Sequence, residues 1–268
     1  MIIRFWRAFR GVAWREILRF LQQRERFLAA LIRPILWLLI FAVGFRAALG
    51  VSIAPPYATY ITYDVYIAPG LVAMIQLFNG MQSSLSMVYD REMGGMRVLL
   101  TAPLPRWFLL LSRLLAGVGV SLIQVYAFLL IAWFLGIELP LAGYVAVLPA
   151  LVLSGLMLGA LGMALSSIVR QLENFAGVMN FVIFPMLFAS SALYPLWKVQ
   201  ESSDVLYQLC RLNPFTHAVE LIRFALYLQL NGAALAVVTG ALVVFLAAAI
   251  WAYDPARGLM ARNAAVVD

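Results

Sequence analysis

The side chains that could do chemistry are few, and their spacing limits what that chemistry can be. His217 is the single histidine, with Glu220 and Arg223 following it at helical intervals behind Asn213-Pro214. One imidazole and one carboxylate do not complete a metal's coordination shell, so no metal site is expected there. The spacing predicts capping and pairing instead, with Thr216 near a helix start and Glu220 and Arg223 as an i,i+3 ion pair. Cys210 has no second cysteine with which to form a disulfide or share a metal. No Ser/His/Asp, Cys/His or paired-carboxylate arrangement recurs within the apolar stretches, so no catalytic residue is expected. A Walker A phosphate loop needs a lysine for the β and γ phosphates, and the single lysine, Lys198, is followed by Val199. This sequence therefore carries no nucleotide site of that kind.

A second polar group lies within an apolar run. Gln76, Asn79, Ser83 and Ser86 recur at helical spacing on one side of it, with Gln82 near their edge. Polar side chains at membrane depth face either neighbouring helices or a transport pathway, and both readings suit neutral amides and hydroxyls. Gly155, Gly159 and Gly162 would let another helix approach closely.

The elements that must hold these residues follow from composition. Of 268 residues 65% are hydrophobic and 12% charged, with a mean hydropathy of +0.95, whereas soluble domains are about one quarter charged. Lipid offers no hydrogen bonds to bare backbone, so such a chain spans as helices or as a closed barrel, and long apolar runs indicate helices. Six spans are expected, at 28–46, 66–89, 106–135, 144–169, 174–194 and 233–253, within one membrane domain covering 1–268. Residues 1–27 should form an amphipathic interfacial helix. Ile2, Phe5, Trp6, Phe9, Ala13, Ile17 and Phe20 share one face of it, and Arg4, Arg7, Arg15, Arg19 and Gln22 the other. Trp14 and Leu18 lie on the polar side, which leaves open whether this helix is a surface anchor or also a docking surface.

Six spans place both termini on one side. Of the nineteen Lys and Arg residues only Arg46, Lys198, Arg211 and Arg223 then fall outside, which sets both ends in the cytoplasm. The net charge of +7 is thus explained by orientation, and no nucleic-acid partner is expected. The N-terminal region, with seven arginines in its first 27 residues, lacks the order of a cleavable signal. Residues 50–65, with Pro55-Pro56 and their tyrosines, read as an ordered interfacial loop. The stretch 195–232 is too polar to cross and suits two short helices dipping into the outer leaflet, turning at Asn213-Pro214.

On the inner side, residues 90–105 pass from a charged start at Asp90-Arg91-Glu92 through Gly94-Gly95 to a helical turn from Met96 to Leu100, which Pro103 and Pro105 stop. From physics alone this is either an ordinary topology-setting loop or a short rigid element. Together with Tyr66-Ile67-Ala68-Pro69-Gly70 and Asn213-Pro214-Phe215-Thr216-His217, this segment resembles the type-2 ABC transporter permeases, in the style of nodulation-factor, drug and polysaccharide exporters. The resemblance covers nearly the whole chain. Tyr57 to Arg113 is also similar to a subgroup associated with quinoprotein alcohol oxidation, which names no cargo.

The resemblance implies an all-α membrane subunit with six transmembrane helices, the N-terminal interfacial helix and a re-entrant hairpin before the last span. It implies a coupling role toward a cytoplasmic ABC ATPase for Arg91, Glu92, Gly94, Arg97, Leu99 and Leu100. It further implies a pathway near spans two and five at an interface with a second copy, and an outer gate at Asn213, Pro214, His217, Glu220 and Arg223. ATP and Mg would sit on the partner ATPase, with no cofactor in this chain. The setting is a bacterial inner membrane. An ion-coupled secondary transporter is the competing class, and it usually leaves ionisable residues in mid-span. A non-catalytic membrane scaffold is the other, and it leaves the glycine-broken inner loop unexplained.

Overall fold

A computed structural model describes residues 2–22, 24–45, 55–57, 60–92, 105–169 and 171–252. Among these the chain is helical: α1 (Ile2–Gln22), α2 (Arg24–Phe45), α3 (Tyr63–Glu92), α4 (Arg106–Phe134), α5 (Gly143–Ala146), α6 (Leu148–Ile168), α7 (Leu172–Phe188), α8 (Leu196–Ser202), α9 (Asp204–Leu212), α10 (Pro214–Leu226) and α11 (Gly232–Ala252). Among the described residues three stretches are long and apolar enough to cross a membrane: Trp107–Phe134, Gly143–Ile168 and Gly232–Ala252. On α11 the apolar side chains point outward, with Val243, Val244 and Trp251 exposed by 61%, 63% and 89%. A helix apolar on its outer side is stable in lipid and not in water.

The remaining long helices are less apolar for separate reasons. α3 has 30 residues but carries amides and hydroxyls through its middle. It is the central post, packed against α2, α4, α6, α7 and α10. Ile67, Ala68, Leu71, Val72, Ala73 and Leu77 are wholly buried, so protein rather than lipid surrounds them. In α2 the apolar part runs only over Ala30–Phe41, and α7 is 17 residues long.

Small residues set the distance between α3 and α6. A Cβ added at Gly80 would lie 3.0 Å from the backbone of Leu158 and Gly159, and one at Gly162 would lie 2.8 Å from the Gly80 carbonyl oxygen. Two helix backbones in such contact leave no room for a side chain. At one end of the bundle Gly143 meets the backbone of Leu226, and Gly70 meets Ala192.

Several details depart from expectation. The fifth apolar stretch is helical only over Leu172–Phe188, not through 194. The chain unwinds at 189–195, and the carbonyls it frees are taken by buried donors. Between 195 and 232 three short helices replace two, because Ser203 adopts an extended backbone (φ −163°, ψ 115°) and caps α9 by accepting from the Leu206 N–H. Asn213, not Thr216, caps α10: its side-chain oxygen accepts from Phe215 N at 3.0 Å, while the buried Thr216 hydroxyl has no partner among the described residues. Pro214 in the first turn needs no N–H partner, which suits Asn213 to the cap position.

α1 packs along α4, with the Phe5 ring edge-on to Phe108 at 4.8 Å. Trp6, placed by periodicity on the apolar face, is turned outward and 64% exposed, and Trp14 is 59% exposed. Residues 93–104, with most of the proposed coupling segment, lie outside the described residues.

Gly162→Val should lower the thermal stability of the detergent-solubilised protein by about 1–3 kcal/mol, the usual penalty of overpacking. Gly177→Ala and Gly240→Ala meet nothing within 4 Å and should leave melting unchanged or raise it, since alanine suits a helix interior better than glycine. Equal effects at all three positions would contradict the close α3 and α6 contact.

Candidate functional site

Arg223 is 2% exposed, and the surrounding elements are arranged to accommodate its charge. One helical turn away, Glu220 accepts from its Nη1. Its Nη2 donates to the Ser191 carbonyl at 2.8 Å, and its guanidinium carbon lies 4.2 Å from the centre of the Tyr66 ring. The Tyr66 hydroxyl donates to the same Ser191 carbonyl at 3.1 Å, and the Tyr63 hydroxyl donates to Leu193 at 2.5 Å. The unwound stretch after α7 therefore supplies acceptors to donors from α3 and α10. Pro195 has no N–H to offer the Ser191 carbonyl one helical turn back, so that oxygen is open to these side-chain donors.

Tyr57 in the preceding loop closes the group, its ring 4.8 Å from that of Tyr227. Burial pushes the Tyr57 hydroxyl up to about 12, with the neighbouring Arg223 charge opposing the rise. The phenol is accordingly neutral at ordinary pH.

Asn213 joins two helix ends. Its Nδ2 donates to the Met186 and Ala189 carbonyls at 2.7 and 2.6 Å, at the C-terminal end of α7, while its oxygen caps α10. Pro214 opens α10, and His217 Nε2 lies 2.8 Å from the Arg211 carbonyl. The five residues singled out here by sequence thus occupy one joint between α7, α9 and α10. The arrangement holds elements together and contains no nucleophile paired with a base.

Deeper in the bundle the polar residues of α3 spread toward three neighbours. Gln76 donates to the Leu151 carbonyl of α6 at 2.7 Å, and the Ser154 hydroxyl lies 2.6 Å from Gln76 Oε1 and 2.7 Å from the Ala150 carbonyl. Its single proton serves one of them at a time. Asn79 donates to Gln124 of α4, and Ser83 faces Gly117 of the same helix. Gln82 and Asn79 border a cleft between α3 and α2. Arg91 and Glu92 end α3, but their side chains, and Gly94, Arg97, Leu99 and Leu100 entirely, lie outside the described residues.

Sequence reasoning missed Tyr66 and Ser191 as the partners of Arg223, and Tyr63 as the donor to Leu193 beside them. The i,i+3 spacing of the two tyrosines was a usable signal, since it places both on one helix face. The Ser191 carbonyl carried none, because its role depends on a helix ending early.

Arg223→Met should destabilise the protein by about 3–5 kcal/mol, because it leaves Glu220 and the Ser191 carbonyl without their charged partner. Glu220→Gln in the same chain should recover part of that loss in thermal unfolding. A double variant no more stable than the single one would show that the pair is not the source.

Comparison with known proteins agrees with this architecture. Residues 7–227 match the family described as ABC-2 type transporter. A transport permease, ycf38, of Porphyra purpurea is 29% identical over 74% of this chain and 66% of its own length. Nodulation protein J of Rhizobium leguminosarum bv. viciae is 25% identical over 80% of this chain and 82% of its own. The multidrug ABC transporter permease YbhR of Escherichia coli K12 is 29% identical over 62% of this chain, which spans less than half, 45%, of that protein. With its apolar helices, a centre held by interhelical hydrogen bonds and a family match over most of its length, the chain belongs to the ABC-2 type transporter family and is a multi-pass membrane permease.

Proposed function

We propose that this chain is the membrane subunit of an ATP-driven exporter, moving a hydrophobic or amphipathic substrate outward with ATP hydrolysed on a separate cytoplasmic subunit. The family match over residues 7–227 carries the reading. A sequence whose single lysine sits outside any phosphate loop is consistent with hydrolysis on a partner, where ATP and Mg would bind. The names of the nodulation and multidrug relatives suit export.

In this reading residues 1–268 act as one permease domain of six spans, formed by α2, α3, α4, α5 with α6, α7, and α11. α3 is less apolar than an isolated span because other helices surround it, and α7 is short because its end unwinds. α8 to α10 form a re-entrant outer hairpin, α1 lies at the inner interface, and both termini are cytoplasmic in a bacterial inner membrane. Two copies pair. The segment 90–105 couples to the ATPase through Arg91, Glu92, Gly94, Arg97, Leu99 and Leu100. Gln76, Asn79, Gln82 and Ser83 serve packing beside the pathway, and the joint at Asn213, Pro214, His217, Glu220 and Arg223 acts as the outer gate.

Two measurements test this. With the permease reconstituted beside its ATPase, alanine at Arg91, Glu92 and Arg97 together should abolish substrate-stimulated ATP hydrolysis while assembly of the membrane subunit persists. Unchanged coupling and transport would remove the loop from the mechanism. For topology, in a Cys210→Ser background, a membrane-impermeant maleimide applied outside whole cells should label Ser202→Cys and spare Gln171→Cys. Labelling of both would refute the six-span count, and the reverse pattern would refute the cytoplasmic placement of the termini.

A further inference from the structure

Between α2 and α3 lies a cleft of about 50 Å³, lined by Arg33 and Pro34 on one side and Phe78, Asn79 and Gln82 on the other. That is several times the ~10–15 Å³ a single water needs. Arg33 sits within the apolar stretch Ala30–Phe41, and its guanidinium lies over the Phe78 ring, 4.0 Å from the centre. Phe78 is 14 residues from the end of α3 at Glu92, about 21 Å along a helix axis. The cation therefore meets α3 well inside its length, rather than reaching back toward the helix end.

Arginines inside membrane helices are paired or serve a ligand. At the far end of the bundle Arg223 has Glu220 as its counter-charge. Arg33 makes no ion pair among the described residues. An aromatic face stabilises a cation but does not neutralise it, and the guanidinium edge carries five donors in a fork that matches phosphate or carboxylate oxygens. The Asn79 and Gln82 amides border the same space. Along α2, Leu36 and Ile40 follow Arg33 by three and seven residues, on the same helix face, and are 49% and 63% exposed. A charged pocket thus continues into an open apolar strip, as the two ends of an amphipath require.

We propose that the Arg33 cleft is a recognition site for the anionic head group of an amphipathic cargo, whose apolar chain lies along Leu36 and Ile40. The proposal rests on reading the chain as an exporter's membrane subunit, and it narrows the substrate class to amphipaths with a phosphate-like or carboxylate-like head. Bulk lipid keeps its head groups at the membrane surface, so a head group in this cleft has left the leaflet and entered the protein.

The test is a binding measurement without ATP, so its failure is separate from a failure of coupling. The full chain in lipid nanodiscs is exposed to a photoreactive phosphatidic acid and, separately, to the photoreactive diacylglycerol with the same chains. Cross-linked peptides are then mapped. Phosphatidic acid should label α2 and α3 peptides about tenfold more than diacylglycerol, the scale of one charge-assisted contact. Arg33→Gln should erase that preference, and Arg33→Lys should retain part of it. The mapping on the unaltered chain stands even where a variant fails to fold. Equal labelling by the two lipids, labelling elsewhere in the chain, a preference that survives Arg33→Gln, or full competition by excess inorganic phosphate would each overturn the assignment.

Discussion

Hydrocarbon offers no hydrogen bonds, and the arrangement of this protein follows from how its few buried polar groups find partners inside the chain. Gln76 reaches the backbone of α6, Asn79 reaches Gln124 of α4, and Tyr63, Tyr66 and Arg223 converge on carbonyls at 191–193. These bonds tie α3 to α6, to α4 and, through the two tyrosines, to the stretch after α7, where Arg223 of α10 also binds. Apolar packing alone would not fix those rotations, because lipid competes equally well for a leucine. Polar groups decide the orientation of the central post, and glycines decide how close its neighbours come.

The same constraint explains why a helix ends early. Continuing α7 through residue 194 would have used the Met186 and Ala189 carbonyls within the helix and left the Asn213 amide short of acceptors. Breaking the helix exchanges local hydrogen bonds for long-range ones. Asn213 completes the exchange by donating to the Met186 and Ala189 carbonyls, which the ending helix leaves open.

What the sequence disclosed follows from which interactions are local. The long apolar runs at 106–135 and 233–253 predicted α4 and α11 to within a residue or two, because composition and length alone determine them. The Glu220 and Arg223 pair was readable from i,i+3 spacing. Thr216 was misread as the cap, although Pro214, suited to a first helical turn, pointed to Asn213. Periodicity placed Trp6 and Phe5 on one apolar face but could not say which of them a neighbouring helix covers: Phe5 meets Phe108, and Trp6 stays exposed. The unwound segment was invisible, since its cause lies 125 and 130 residues away at Tyr66 and Tyr63.

Anchoring α3 at the Tyr63 end has a mechanical consequence. Its 30 residues make a rod of about 45 Å with one end held by two hydrogen-bond donors, Tyr63 and Tyr66, and the other leading into the segment at 90–105. Such a rod behaves as a lever with its pivot at the tyrosines. A rotation of about 5° would carry the Glu92 end roughly 4 Å but shift Gln76 by only about 1.5 Å, given a rise of ~1.5 Å per residue. That smaller shift is still enough to separate Gln76 from the Leu151 carbonyl, now 2.7 Å away. Long travel at one end becomes a single broken contact near the middle, and the pivot itself need not move.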